Sequence, residues 1–297
     1  NYFATRKEYN NKFYVAYQEG IYNGYKYTET RYEDVLTNRA NAGSFDYQAA
    51  VSYPFGYGLS YSDYSYSNFK VTENTEEDTY TLTVDVTNNS DIDGKEVVQA
   101  YIQKPYTAKD IENGVEKSAV ELAGFTKVDV KAHETVPATI EIKGKYLAAY
   151  DANGEKTYVI GSSDKDDEYL FTVAKDAHDA ENNFLQYKAD NGVDVDLESI
   201  TTNDGRGNGD KSLVWGKHIA YSATKYSTND YIEQQNEDFE ARYPGEEANY
   251  GVSSITNQFD NTDYQKAGLF SESEESQPYM TRSNWTGTYG KVIKLTA

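Results

Sequence analysis

The sequence contains no cysteine, one methionine and only five prolines among its 297 residues. The lack of cysteine excludes disulfide bonds and thiolate metal sites, but it leaves the redox compartment open, because secreted proteins also occur without cysteine. No apolar run approaches the roughly 20 residues of a membrane-spanning helix, and the first residues lack the apolar block of a signal peptide. We therefore expect a soluble chain without a membrane partner. Its compartment is unknown, and a bacterial-type cytoplasmic location and secretion are both open.

Positive charge is also scarce, since 28 lysines and arginines stand against 49 aspartates and glutamates, for a net charge of −21. Nucleic-acid binders need clustered lysine and arginine to neutralise phosphates, so no nucleic-acid partner is expected. Tyrosine is abundant instead, with 30 copies. Because tyrosine buries a large ring while its hydroxyl stays hydrated, the low mean hydropathy of −0.82 is compatible with a folded core.

Alternating apolar and polar residues dominate the middle of the chain. The run "TYTLTVDVTN" places Tyr80, Leu82, Val84 and Val86 on one face at a period of two. Similar runs, separated by turn residues, continue through residues 61–184 without helical periodicity. This pattern predicts a mainly β fold, an immunoglobulin-like antiparallel β-sandwich of about seven strands. After residue 185 the pattern thins, and we expect an irregular C-terminal extension.

The stretch "YPFGYGLSY" at residues 53–61 precedes the sandwich and combines proline, glycine and tyrosine. It resembles the segment that joins the second domain of glycoside hydrolase family 3 enzymes to their fibronectin type III-like domain. Four further blocks in the family's order strengthen the resemblance: "YQEGIYNGYKYTETRYED" at 17–34, "VTNNSDIDGKEVVQAYIQKP" at 86–105, "ELAGFTKVDVKAHETVPATIEI" at 121–142 and "LAAYDANGEKTYVIG" at 147–161.

The resemblance implies a domain organisation. Residues 1–60 would be the end of an α/β-sandwich domain with the joining motif, and residues 61–184 the fibronectin type III-like β-sandwich. Residues 185–297, which include "MTRSNWTGTYG", resemble family members with permuted domain order, and would lead toward a TIM-barrel domain outside this chain. We interpret the chain as a part of a longer one, because it opens without methionine inside a patterned segment. Its partners would be the rest of its own polypeptide and, in the full enzyme, a β-linked oligosaccharide; a homo-oligomer is left open.

The resemblance also implies where the chemistry lies. Family 3 enzymes are retaining β-glycosidases of β-glucosidase or β-xylosidase type, which use two carboxylates about 5 Å apart. The nucleophile lies in the barrel and the acid/base upstream, so no catalytic residue and no cofactor is expected here, and the chain alone is predicted to be inactive. No metal site is expected either, because His133, His178 and His218 have no second ligand at metal spacing.

Two sets of candidate residues remain. Glu19, Tyr22 and Tyr25 would lie nearest the catalytic α/β domain, where tyrosine rings either stack on sugar or fill a domain interface. The joining motif has a physical rationale, because proline fixes φ, glycine permits strained backbone angles, and the aromatic rings need a surface to pack against. Its members are Tyr53, Pro54, Phe55, Gly56, Tyr57, Gly58 and Leu59.

Two other functions compete with this interpretation. A carbohydrate-binding module would display an exposed, coplanar row of tyrosines on one sheet. An immunoglobulin-like interaction domain would instead expose strand edges to a protein partner.

Overall fold

The computed structural model describes the backbone of residues 3–9 and 12–18, and residues 20–39, 42–151, 153–201, 209–226, 244, 281–283 and 285. No helix among these residues is long and apolar enough to cross a membrane. The elements in chain order are β1 (Phe3–Tyr9), β2 (Lys12–Gln18), α1 (Tyr25–Leu36), α2 (Tyr47–Ala50), β3 (Tyr64–Asn74), β4 (Thr79–Asn88), β5 (Gly94–Gln103), α3 (Ala108–Asn113), β6 (Glu121–Val130), β7 (Thr135–Lys143), β8 (Ala149–Asp151), β9 (Thr157–Ile160), β10 (Tyr169–Ala174), α4 (Ala177–Asp190), β11 (Val214–Lys217) and β12 (Ser222–Tyr226).

Two antiparallel sheets face each other across one hydrophobic core. The first has the strand order β11-β10-β5-β6 and the second β3-β4-β7, while β12-β9-β8 forms a smaller third sheet. The face of β4 that alternation predicts to be apolar is buried in this core, together with Val98 and Ile102 of β5 and Phe171 of β10. The prediction of a mainly β, fibronectin type III-like sandwich is therefore confirmed.

The C-terminal boundary differs from the sequence-based expectation. Helix α4 runs across residue 184, and the region from 185 onward is not irregular throughout, because β11 pairs with β10 and β12 pairs with β9. Residues 214–226 therefore add edge strands to the same fold. These strands have only four and five residues, too few for a recognisable alternation.

Helices cover the outer face of the first sheet. Strand β10 is buried on both faces, because its outward residue Leu170 packs with Tyr101 of β5 beneath Phe184 and Ala180 of α4. Helix α4 begins where the Asp176 side chain accepts a hydrogen bond from the Asp179 amide and so caps the free helix end. Helix α1 packs beside α4, which makes a third layer of the structure.

At the N-terminus, β1 and β2 form an antiparallel hairpin that precedes α1. Strand β2 contains the short apolar run from Phe13 to Tyr17. The hairpin, α1 and α2 are the elements that precede the sandwich strands in the chain, and their assignment to the end of an α/β-sandwich domain stays a prediction.

Candidate functional site

The joining motif forms a tight turn that one buried amide holds in place. The Tyr57 amide donates to the Pro54 carbonyl over 3.2 Å, and Gly56 has a φ of +86°, where side chains are disfavoured. The Gln99 side-chain amide donates to the carbonyls of Gly56 and Lys175. The Tyr101 hydroxyl donates in turn to Gln99 Oε1 over 2.7 Å, so the turn is fixed to β5.

Phe55 fastens the same turn to both helices. Its carbonyl accepts a hydrogen bond of 2.9 Å from the Ala177 amide at the start of α4. Its ring stacks on Tyr25 of α1, with centroids 4.4 Å apart and an angle of 18° between the planes. The motif therefore joins α1, β5 and α4, while Pro54 is buried beneath it.

The opposite side of the motif exposes several large apolar side chains among polar and charged ones. The exposed fractions are 72% for Tyr53, 89% for Leu59, 97% for Tyr61 and 68% for Phe125. Leu59, Tyr61, Val97 and Phe125 line one concave surface of about 840 Å³. We call the side chains of Tyr53, Leu59, Tyr61, Val97 and Phe125 the motif face. The Phe55 ring is 46% exposed beside Tyr25 and the Tyr53 ring lies 5.2 Å from that of Tyr57. The packing of the motif's rings against a neighbouring domain stays a prediction.

Tyr22 and Tyr25 are engaged in internal contacts. The Tyr22 hydroxyl donates to Glu116 Oε2 over 2.7 Å, and burial together with the charge of Glu116 raises its pKa. The Tyr25 hydroxyl accepts from the Leu122 amide over 3.0 Å, while its ring stacks on Phe55. Both rings therefore contact other parts of this chain, and the choice between a domain interface and sugar stacking stays a prediction. Glu19 lies outside the described residues.

A buried histidine links the two helices. His178 Nδ1 lies 2.8 Å from Glu29 Oε2, and its Nε2 lies 2.9 Å from the Thr201 carbonyl oxygen. Tyr47 donates to the other oxygen of Glu29 and stacks on the imidazole at 3.9 Å. Burial lowers the pKa of His178, but the hydrogen bond and charge of Glu29 outweigh it, so the pKa is raised overall. Glu29 Oε2 and the Thr201 carbonyl oxygen are both hydrogen-bond acceptors, and this arrangement around the two ring nitrogens suits the protonated form of His178.

The contact between His178 and Glu29 predicts that the free energy of unfolding falls as the pH rises. The contribution of protonated His178 is fully present below its unfolded pKa of about 6.5 and is lost as the pH rises through its raised folded pKa. Urea unfolding midpoints measured from about pH 6 to pH 9 should therefore decline more steeply for the unmodified chain than for His178→Gln. The exposed His133→Gln is the matched control and should keep the steep decline. Equal slopes for the unmodified chain and His178→Gln would contradict the prediction.

No cluster of three histidine or acidic side chains suited to a metal ion occurs in the described part of the chain. Sequence reasoning missed Gln99 and Glu29, which hold the motif turn and His178. The one available signal for Gln99 was the absence of charge from Val97 to Gln103, a pattern typical of strands buried on both faces.

The fold and its sequence define a fibronectin type III-like domain, since residues 96–163 match the family model described as "Fibronectin type III-like domain". The relatives of this chain are glycosidases. It is 36% identical over 157 residues to the probable β-glucosidase K of Emericella nidulans, with 50% of this chain and 16% of the relative covered. It is 33% identical to an exo-α-(1→6)-L-arabinopyranosidase of Bifidobacterium longum, with 55% of this chain and 20% of the relative covered.

Solved structures give the same kind of match. β-Glucosidase 3B from Thermotoga neapolitana is 29% identical and has a TM-score of 0.40, with 55% of this chain and 19% of that chain covered. The GH3 β-glucosidase of Bifidobacterium adolescentis is 24% identical with a TM-score of 0.45, covering 70% of this chain and 22% of that chain. The matched part of this chain spans a fifth or less of the length of the Emericella nidulans and Bifidobacterium longum relatives. The resemblance to named glycosidases extends over about half of the chain.

Proposed function

We propose that this chain is the non-catalytic, fibronectin type III-like part of a family 3 β-glycosidase, and that it holds the catalytic domains of that enzyme together. The observation that carries the proposal is the joint match of residues 96–163 to the fibronectin type III-like model and of half the chain to named glycosidases. The full enzyme would hydrolyse terminal β-glycosides with retention of configuration, using carboxylates that lie in its other domains.

The motif supports a joining role because its two sides differ. One side is fixed to α1, β5 and α4 by Gln99, by Phe55 and by the backbone. The other side is the motif face, where large apolar side chains stand exposed beside polar and charged ones, a mixture typical of the contacts between domains of one chain. A neighbouring catalytic domain of the same polypeptide would cover it and thereby be held at a fixed distance from the sandwich.

A carbohydrate-binding module is less well supported by the same surface. Such a module needs ring faces that are coplanar along one sheet, whereas Tyr53 and Tyr57 belong to a turn and their ring planes are inclined by 33°. The motif also contributes a leucine to the concave surface, and an aliphatic side chain offers no ring face for stacking on sugar.

The proposal predicts that activity and the motif face depend on polypeptide outside this chain. The product of the complete reading frame should hydrolyse aryl β-glucosides or β-xylosides, while the 297-residue chain should not. Leu59→Ser combined with Phe125→Ser should lower the inactivation temperature of the complete enzyme, because the pair would face its catalytic domain. In the isolated chain the same pair should change the free energy of unfolding by less than about 1 kcal/mol, since both side chains are exposed.

Tyr146→Ser provides the control, because Tyr146 is also an exposed aromatic residue but does not line the concave surface. It should leave both the complete enzyme and the isolated chain unchanged. Hydrolysis by the 297-residue chain alone would contradict its non-catalytic role, and a complete product without glycosidase activity would contradict the enzyme assignment. An unchanged inactivation temperature for the Leu59 and Phe125 pair would contradict the joining role only.

A further inference from the structure

Arg282 lies far along the chain from α1 but is buried against it. Its Nη2 donates to Glu33 Oε1 and to Asp34 Oδ1, each over 2.6 Å, and its Nε donates to Asp34 Oδ1 over 2.9 Å. Its backbone amide donates to Glu116 Oε2 over 2.8 Å. One guanidinium therefore bridges two neighbouring carboxylates of one helix, which matches the forked geometry of arginine.

Trp285 lies beside Arg282 on α1. We call the surface that these two side chains contact, formed by Tyr22, Tyr27, Glu33 and Asp34, the groove. Its indole nitrogen donates to Asp34 Oδ2 over 2.9 Å. Its ring meets Tyr22 and Tyr27 edge-on, at centroid distances of 5.0 and 5.8 Å. The guanidinium of Arg31 lies 5.1 Å from the indole ring. Both oxygens of Asp34 are thus bonded by this one segment of the chain.

The groove needs such a partner because its charges are buried. Glu29, Glu33 and Asp34 of α1 are almost fully buried, and Glu181 of α4 is buried beside them with neither carboxylate oxygen hydrogen-bonded. Burial and the charge of Glu33 hold the pKa of Glu181 well above its usual range. Glu29 is paired with His178 and the raised pKa of Glu181 favours its neutral form, so Glu33 and Asp34 are the buried carboxylates that need a counter-charge.

The other cations near α1 compensate only in part. Lys188 Nζ lies 3.0 Å from Glu33 Oε2, and Arg39 Nε lies 3.6 Å from Asp34 Oδ1 with its side chain 38% exposed. Arg282 contacts both carboxylates at once and is itself buried. Asp34 therefore depends on Arg282 for its close, buried counter-charge.

We propose that α1 carries a peptide-binding site for an arginine followed three residues later by a tryptophan, and that its occupants are Arg282 and Trp285 of this chain. Occupancy supplies the counter-charge that allows the acidic face of α1 to remain packed against α4. The inference concerns contacts within the chain and does not rest on the proposed function.

Tryptophan fluorescence tests this site directly, since the chain has only two tryptophans. In a Trp215→Phe background, Trp285 should emit as a buried indole and resist quenching by acrylamide. Adding Arg282→Ala should shift the emission to the red and move the quenching constant at least half of the way to its value in urea. The β-sheet circular dichroism should be retained, because the sandwich core does not contain this segment.

Two further variants separate the binding site from a general loss of folding. Asp34→Asn changes the groove instead of the segment and should expose Trp285 in the same direction. Arg39→Ala removes the other cation that faces Asp34 and should leave Trp285 protected. If Arg282→Ala does not fold, Arg282→Lys, which keeps the charge but loses the fork, is measured in its place. Trp285 that stays protected in both the Arg282 and the Asp34 variants would overturn the proposal.

Discussion

Gly56→Val should lower the free energy of unfolding by about 2–4 kcal/mol, while Gly58→Val should change it by less than about 1 kcal/mol. Gly56 has a positive φ, and a Cβ built there would lie 2.1 Å from Gln99 Oε1. The amide of Gln99 is held between Gly56, Lys175 and Tyr101, so moving it would leave buried polar groups without partners. Gly58 is the matched control, because nothing lies within 4 Å of a Cβ there and its φ is not in the left-handed range.

Urea unfolding of the two variants, followed by circular dichroism, measures the difference. The comparison is sharp because the glycines are two residues apart in the same exposed turn. Equal midpoints for the two variants would show that the turn tolerates a side chain at either position. Gln99 would then not be the residue that fixes the motif to β5.

Phe184→Ala should destabilise the chain by about 3–5 kcal/mol, the usual range for a buried aromatic residue. Phe184 has no exposed surface and packs between α4 and the outward residues Tyr101 and Leu170 of the first sheet. Its removal would leave a cavity in the contact that holds the helical layer on the sandwich. The measurement is the free energy of unfolding by urea at constant pH.

Phe125→Ala is the control for that substitution. Phe125 is an aromatic residue of β6, in the sheet on which Phe184 packs, but its side chain is largely exposed. It should change the free energy of unfolding by less than about 0.5 kcal/mol. If both substitutions cost the same, α4 would not be a stable layer of this fold. The motif turn, which depends on the start of α4, would then lose one of its three attachments.

The sandwich core was predictable because its signal is local. In β4 each inward residue is two positions from the next, and the structure buries all of the predicted face. In β5 the same rule predicts that Gln99, Tyr101 and Gln103 face solvent, whereas all three are buried. Alternation identifies two faces of a strand, but it does not show that a helical layer covers the outer one.

Helix α1 was not predictable from its own residues. Its sequence "YKYTETRYEDVL" has no apolar stripe and resembles a solvent-exposed segment. It is nevertheless buried, because its carboxylates meet His178, Lys188 and Arg282, which lie at least 149 positions away. Local periodicity contains no information about partners so far along the sequence. The contacts of α1 were therefore not predictable, whereas the strands of the sandwich were.

The separation of Asp34 and Arg282 along the sequence has a consequence for synthesis on the ribosome. The two residues are 248 positions apart, and translation proceeds at about 5–20 residues per second. Asp34 is therefore made about 12–50 s before the residue that pairs with it. During that interval the sandwich strands can form their own contacts, which involve shorter separations. Until Arg282 is made, Glu33 and Asp34 lack this counter-charge, so the packing of α1 against α4 can be completed only late in synthesis.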